Sequence, residues 1–364
     1  MAGTSENQAG RRGHRVAALG GGHGLYASLS ALRQLDCDIT AIVTVADDGG
    51  SSGRIRRELP VLPPGDLRMA LAALAQGGLS GRVVGGTAGL PTQGGLTGPG
   101  ALGNETAGSE LAWTDILQHR IGGSGALAGH PIGNLLLTGL LELRADPVAA
   151  LADLAELVSA QGSVLPMSAL PLDLSARVAS IDPDDPVRER VIRGQSSIAA
   201  TAGKVLSIEL IPPDAPACPE AVRAIEQADT VVLGPGSWFT SVIPHLLVPE
   251  LAAALSETSA RVVIILNLEP QVGETDDFSA VDHLEVLRQH CPSLHIDAVV
   301  ADSELVSQPR TLTRYATSIG ARVVLAPVAA TDSGARHDPT KLGHALAAAA
   351  ELSRKTQRQA DRAV

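Results

Sequence analysis

Two glycine turns, and the carboxylates beside the first, are the residues of this sequence whose types and spacing could do chemistry. Gly20, Gly21, Gly22 and Gly24 close the apolar run Val16 to Leu19, with His23 among them. Where a strand turns through glycines into a helix, unpaired backbone N–H groups surround a concavity that suits a phosphate. The stretch Thr230 to Gly236 repeats this logic with Gly234 and Gly236, and Ser237, Thr240 and Ser241 follow it. Two such turns can grip two ends of one ligand, or a ligand and its leaving group. Asp47 and Asp48 end the apolar run Ile39 to Ala46, a position where a carboxylate can meet a ribose hydroxyl or a metal ion. Each group has a plain alternative. The glycines could serve only tight turns, and the aspartates could close a turn with Gly49 and Gly50 or cap the next helix. The first turn is also out of register with the dinucleotide fingerprint G-x-G-x-x-G.

Further polar residues cluster after these turns. Ser51, Ser52 and Gly53 precede Arg54, Arg56 and Arg57, which reads as a loop wrapping a phosphorylated ligand or as arginines neutralising nearby acids. Asp66 follows Pro63 and Pro64 and is placed to cap a helix over 67–75; its side chain could instead face the site. His130 and Asn134 stand four apart at the mouth of an apolar helix within 127–143, where polar groups need a partner from capping or from a ligand. Capping is the simpler reading. Glu274 divides between turn chemistry and function, and Arg336 and His337 project at the mouth of a helix begun by Asp338 and Pro339.

The elements that must position these groups follow from the apolar pattern. Leu25, Leu29 and Leu32 fall at helical spacing and predict a helix over 24–35 between two buried strands. Further strands are expected over 205–210, 230–236, 261–268, 296–300 and 322–328. Strands alternating with helices predict an α/β, Rossmann-like, doubly wound and mostly parallel sheet with helices on both faces. Hydrophobic residues make up 45% of the 364 and aromatics 2%, so the core is aliphatic, as such a sheet requires. One domain is expected over 15–350, with a disordered tail at 1–14, a flexible glycine-rich insertion at 77–108, a strand-rich elaboration at 164–200 and a charged fray at 351–364. The apolar 127–143 segment is expected to run through the interior.

The formal charge is 28 minus 39, or −11, which argues against nucleic acid as the main partner but leaves room for a nucleotide held by local N–H groups and arginines. Cys37, Cys218 and Cys291 are odd in number and scattered, the pattern of reduced thiols in a cytosolic protein. The sequence carries no apolar run that reads as a signal peptide or membrane span.

The segments GGGHGL (20–25), TVADDGGSSGRIRREL (44–59), LPPGDLR (62–68), AGHPIGNLLL (128–137), LGPGSWFTSVIPHLLVP (233–249), GET (273–275) and ARHDPTK (335–341) together resemble the gluconeogenesis-factor family. Its members are related in fold to the 2-phospho-L-lactate transferase of coenzyme F420 synthesis. The resemblance implies a cytoplasmic protein that binds a UDP-sugar, notably UDP-N-acetylglucosamine, and supports cell shape and peptidoglycan precursor supply on gluconeogenic carbon. It also implies a protein partner in amino-sugar synthesis and a homo-oligomer, expected as a dimer. The family's ligand loop falls on Gly21, Gly22, His23 and Gly24, its acidic pair on Asp47 and Asp48, its buried-helix motif on His130 and Asn134, its second phosphate loop on Gly234, Gly236 and Ser237, and its late arginine on Arg336.

This chain departs from the family pattern at three places. Many relatives carry threonine at position 23, so a hydroxyl contact is lost here. The wording NLEPQV before GET differs from the commoner form, and the glycine-rich span looks like an insertion. Two functions follow from the resemblance: a UDP-sugar-binding regulator without an obligatory cofactor, or an Mg²⁺-dependent phosphoryl or nucleotidyl transferase relying on Asp47, Asp48 and Arg54.

Overall fold

The computed structural model describes residues 13–76, 78–79, 111–179, 188–201, 203–271, 274–275, 278–331 and 335–351. Residues 1–12 of the expected N-terminal tail, nearly all of the glycine-rich span and residues 352–364 of the C-terminal fray lie outside the described residues, while His14, expected in the tail, belongs to the first strand.

The chain opens with β1 (His14–Gly20), α1 (Gly22–Leu32) and β2 (Cys37–Val43). Leu25, Leu29 and Leu32 are buried, as their spacing requires, although α1 starts two residues earlier than the periodicity suggests because Gly21 takes the extended N-cap conformation. α2 (Gly50–Glu58) and α3 (Pro64–Leu74) follow. The stretch expected as a ligand-wrapping loop is therefore a helix. Gly53 is required in it, because a Cβ there would lie 1.9 Å from the carbonyl oxygen of Asp48.

β3 (Gly78–Leu79) pairs antiparallel with β4 (Leu111–Ala112), which leads into α4 (Trp113–Gln118) and α5 (Ile132–Leu143). α5 does not run through the interior. Only Gly133, Asn134, Leu137 and Thr138 are buried, and Leu143 is 82% exposed. The helix's uniform apolarity hides the fact that three of its four fully buried residues are small or polar, while Leu136, Leu140 and Leu141 pack against the core only in part.

After β5 (Ser163–Pro166) the chain builds a separate three-stranded antiparallel sheet from β6 (Asp173–Ala179), β7 (Arg190–Arg193) and β8 (Lys204–Ile211), in the order β7-β6-β8. It then returns to the main sheet with β9 (Thr230–Leu233), β10 (Arg261–Ile265), β11 (Ala298–Asp302) and β12 (Arg322–Ala326).

The main sheet has the order β12-β11-β10-β9-β1-β2-β5, and all six of its pairings are parallel. Its central strands are buried on both faces, which accounts for unbroken runs such as TVVL and RVVII. From β1 the chain winds outward to β2 and β5, then comes back to β9 on the other side. The β1/β9 boundary is therefore the topological switch point, and the loops leaving these two strands border a crevice at the carboxyl edge of the sheet. Among the described residues no helix is long and apolar enough to cross a membrane. Cys37, Cys218 and Cys291 form no disulfide, and Cys218 and Cys291 are buried.

Candidate functional site

The two glycine turns meet at the switch point. A Cβ on Gly24 would lie 2.0 Å from the carbonyl oxygen of Pro235 and 2.6 Å from the Cα of Gly236, and Ser28 Oγ donates to the carbonyl of Gly234 at 2.8 Å. Only glycine lets the first turn of α1 come this close to the second loop. Gly22 (φ +55°), Gly234 (φ +78°) and Gly236 (φ +138°) adopt backbone conformations that favour glycine. Helix geometry leaves the N–H groups of Gly22, His23 and Gly24 without an intrahelical acceptor. That of Gly22 turns to Asp66. Beside the junction opens a cleft of about 460 Å³ whose walls include His23, Gly24, Tyr26, Gln118, Gly236 and Arg336. Four of the expected site residues thus face one cavity.

The acidic pair divides. Asp48 Oδ1 accepts from the backbone N–H of Ser196 at 2.8 Å, so its carboxylate caps a short helix beside the small sheet. Asp47 stays inside, and its neighbour is Asp66. Asp66 does not cap α3, whose N-cap is Pro63. Its carboxyl lies under the first glycine turn, with Oδ2 2.5 Å from where a Cβ on Gly21 would sit. Asp66 Oδ2 is sealed from solvent and has no hydrogen-bond partner. Burial, with the charge of Asp47 adding to it, pushes Asp66 up to about 7. Burial raises Asp47 as well, against the Ser52 hydroxyl and the Gly49 N–H that favour its charged form.

A buried polar relay lies next to this pair. Ser51 Oγ is 2.7 Å from His130 Nδ1 and accepts from Asn134 Nδ2 at 2.9 Å. Asn134 Oδ1 accepts from Arg68 Nε at 3.0 Å, and Arg68 Nη1 donates to Gln118 Oε1 at 3.3 Å, which brings the relay to the cleft wall. His130 and Asn134 are therefore satisfied by α2 and α3 rather than by capping α5, which their spacing alone could not reveal. Burial and then Arg54 lower the pKa of His130. Arg54 itself donates to the carbonyl of Ala128 at 3.0 Å and holds the loop before α5.

The second loop is held by residues from the segment after β10. Asn267 clamps Gly236 through both of its backbone groups, accepting from its N–H at 2.8 Å and donating to its carbonyl at 2.9 Å. Gln271 Oε1 accepts from Trp238 N–H, and Glu274 accepts from Phe239 N–H and from the hydroxyls of Ser237 and Thr240. Ser237 thus turns toward a buried carboxylate. Burial raises the pKa of Glu274 despite these donors. Across the cleft, burial lowers His337 to about 4, so the ring beside Arg336 is neutral. Asp338 caps the Pro339–Ala350 helix as expected, accepting from the N–H groups of Thr340 and Lys341 at 2.9 Å.

Sequence reasoning assigned no role to Arg68, Asn267 or Gln118. The only available signal was that Arg68 and Asn267 lie inside recognisable segments. The pairings join residues 31 to 83 positions apart and depend on the tertiary fold.

Residues 16–337 match the family model described as 2-phospho-L-lactate transferase CofD. The gluconeogenesis factor of Listeria monocytogenes is 34% identical over 345 residues, covering 92% of this chain and 95% of the relative. A Mycobacterium tuberculosis protein, provisionally named a gluconeogenesis factor, is 52% identical over 334 residues, covering 91% and 89%. A crystal structure of a UPF0052-family protein from Bacillus halodurans superposes with a TM-score of 0.75 at 31% identity, covering 93% of this chain and 99% of the other.

Proposed function

Since the chain belongs to the CofD family and its close relatives are named gluconeogenesis factors, we propose that it is a gluconeogenesis factor that works by binding a UDP-sugar, UDP-N-acetylglucosamine first. The observation that carries this reading is the 460 Å³ cleft at the switch point, with the first turn of α1 on one wall and Arg336 on another. Open N–H groups at a helix N-terminus favour a diphosphate, and a guanidinium offsets its charge. The volume falls within the range of small-molecule sites. In the cell such a protein would report nucleotide-sugar supply to an amino-sugar enzyme and so support cell-wall precursor supply and shape during gluconeogenic growth, acting in the cytoplasm as a dimer.

Calorimetric titration with UDP-N-acetylglucosamine, UDP-glucose, UDP and NAD, with product assayed in each mixture, tests this. Saturable UDP-sugar binding without turnover is expected. Absence of binding, or preference for NAD, would overturn it.

Asp47 and Asp66 favour a second reading, an Mg²⁺-dependent phosphoryl or nucleotidyl transferase. Two buried carboxyls with raised pKa values, one of them holding an unpartnered oxygen, fit a divalent cation, because Mg²⁺ is commonly held by one or two carboxylates with water and phosphate completing its shell. When bound, the ion would neutralise charge on a transferring group. Here Asp66 takes the place that the sequence suggested for Asp48. Product formation that needs Mg²⁺ and is lost in Asp47→Asn would establish this reading.

A further inference from the structure

Arg68 is a buried cation with no ion-pair partner among the described residues. Its exposure is 5%, its Nε and Nη1 donate to the neutral amides of Asn134 and Gln118, and no carboxylate lies within 4 Å of it among the described residues. A guanidinium taken out of water without an ion pair is costly, and structural arginines at this depth are normally paired. The charge of Arg120 also opposes that of Arg68, while the charges of Asp66 and Asp47 partly offset it. Asp66 and Asp47 are also close, but they lie beyond ion-pair distance.

The position is built to keep the guanidinium where it is. A Cβ on Gly133 would lie 2.6 Å from Arg68 Cγ and 2.8 Å from the carbonyl oxygen of Leu117, so the stem threads a gap between α5 and α4 that only glycine leaves open. Gln118, whose amide oxygen accepts from Arg68, lines the cleft together with Tyr26 of α1, so an amide NH₂ and a phenol are the donors these two residues can offer there. The groups gathered here are therefore donors with a positive charge behind them.

We propose that Arg68, with Arg120, Gln118 and Tyr26, forms a second anion subsite that takes the phosphate or carboxylate of a small molecule other than the nucleotide. It lies behind the part of the cleft wall formed by Tyr26 of α1, Met69 of α3 and Gln118 of α4, and adjoins the Asp47/Asp66 pair. The cleft then holds two ligands side by side: a nucleotide on the glycine turns and an oxyanion-bearing partner on Arg68. The subsite does not depend on which nucleotide the turns accept.

The test is calorimetric titration of the full chain, free of nucleotide, with inorganic phosphate and separately with malonate, which distinguishes the phosphate from the carboxylate source. Saturable binding of at least one of them is expected, weakened roughly tenfold or more in Arg68→Gln, as loss of a charge-assisted donor predicts. Because Arg68 is buried, the exposed Arg120→Gln provides a second variant, expected to weaken the same binding several-fold. Repeating the titration with UDP-N-acetylglucosamine present separates the two ideas, since anion binding can persist even if the nucleotide sugar does not bind. No saturable binding of either anion to the native chain, or binding unchanged in both variants, would overturn the subsite.

Discussion

Replacing Asp66 with asparagine should stabilise the protein, and more so as the pH rises. In the folded chain Asp66 is pushed from 3.8 up to about 7, first by burial and then by the charge of Asp47. A carboxyl with a raised folded pKa holds its proton more tightly in the native state than in the unfolded one. Its cost is absent below pH ~4, grows as the pH rises, and is complete above about 7. A shift of about three units corresponds to about 4 kcal/mol in full. At pH 5 only about one unit of it, or about 1.5 kcal/mol, is felt. Asp66→Asn, which keeps an oxygen for the Gly22 N–H and presents no charge to Asp47, should therefore gain about 2–3 kcal/mol more at pH 8 than at pH 5. Urea unfolding of both proteins at the two pH values measures this as a difference of midpoints at constant slope. A gain of equal size at pH 5 and pH 8, or a variant weaker than the native chain at pH 8, would refute the account of Asp66 as a buried carboxyl repelled by its neighbour.

Three other substitutions probe the rest of the site. Gly24→Ala places a methyl carbon 2.0 Å from the Pro235 carbonyl oxygen, so the two turns must part; a loss of about 1–3 kcal/mol in thermal unfolding and weaker nucleotide binding are expected. Asn134→Leu leaves the Arg68 Nε–H without its acceptor and the Ser51 hydroxyl with His130 alone, and should cost about 2–3 kcal/mol by urea unfolding, whereas a contribution through apolar packing alone would make it neutral. Arg336→Ala removes a cation from the cleft wall and should lower UDP-sugar affinity roughly tenfold by calorimetry.

Residue order alone settled the frame of the molecule. Aliphatic runs that stop at glycine, each followed by a helical repeat, can be buried only as parallel strands covered by helices, and the turns after β1 and β9 must then sit at the carboxyl edge of the sheet. Local chemistry was legible to the same degree: Asp338 with Pro339 starts the last helix because both effects act within three residues. Partner choice was not legible. Asp47 and Asp48 are adjacent in the chain, yet one joins Asp66 in the interior and the other accepts from a helix nearly 150 residues later. Likewise α5 reads as a buried helix until its packing shows that Gly133, Asn134 and Thr138 are buried with Leu137 while the other leucines are only partly covered or exposed. Periodicity reports how much apolar surface a segment has to bury. Which groups meet there is decided by the approach of helices from distant parts of the chain, and only the folded structure determines that Arg68 ends in the interior with two amides and, among the described residues, no ion-pair partner.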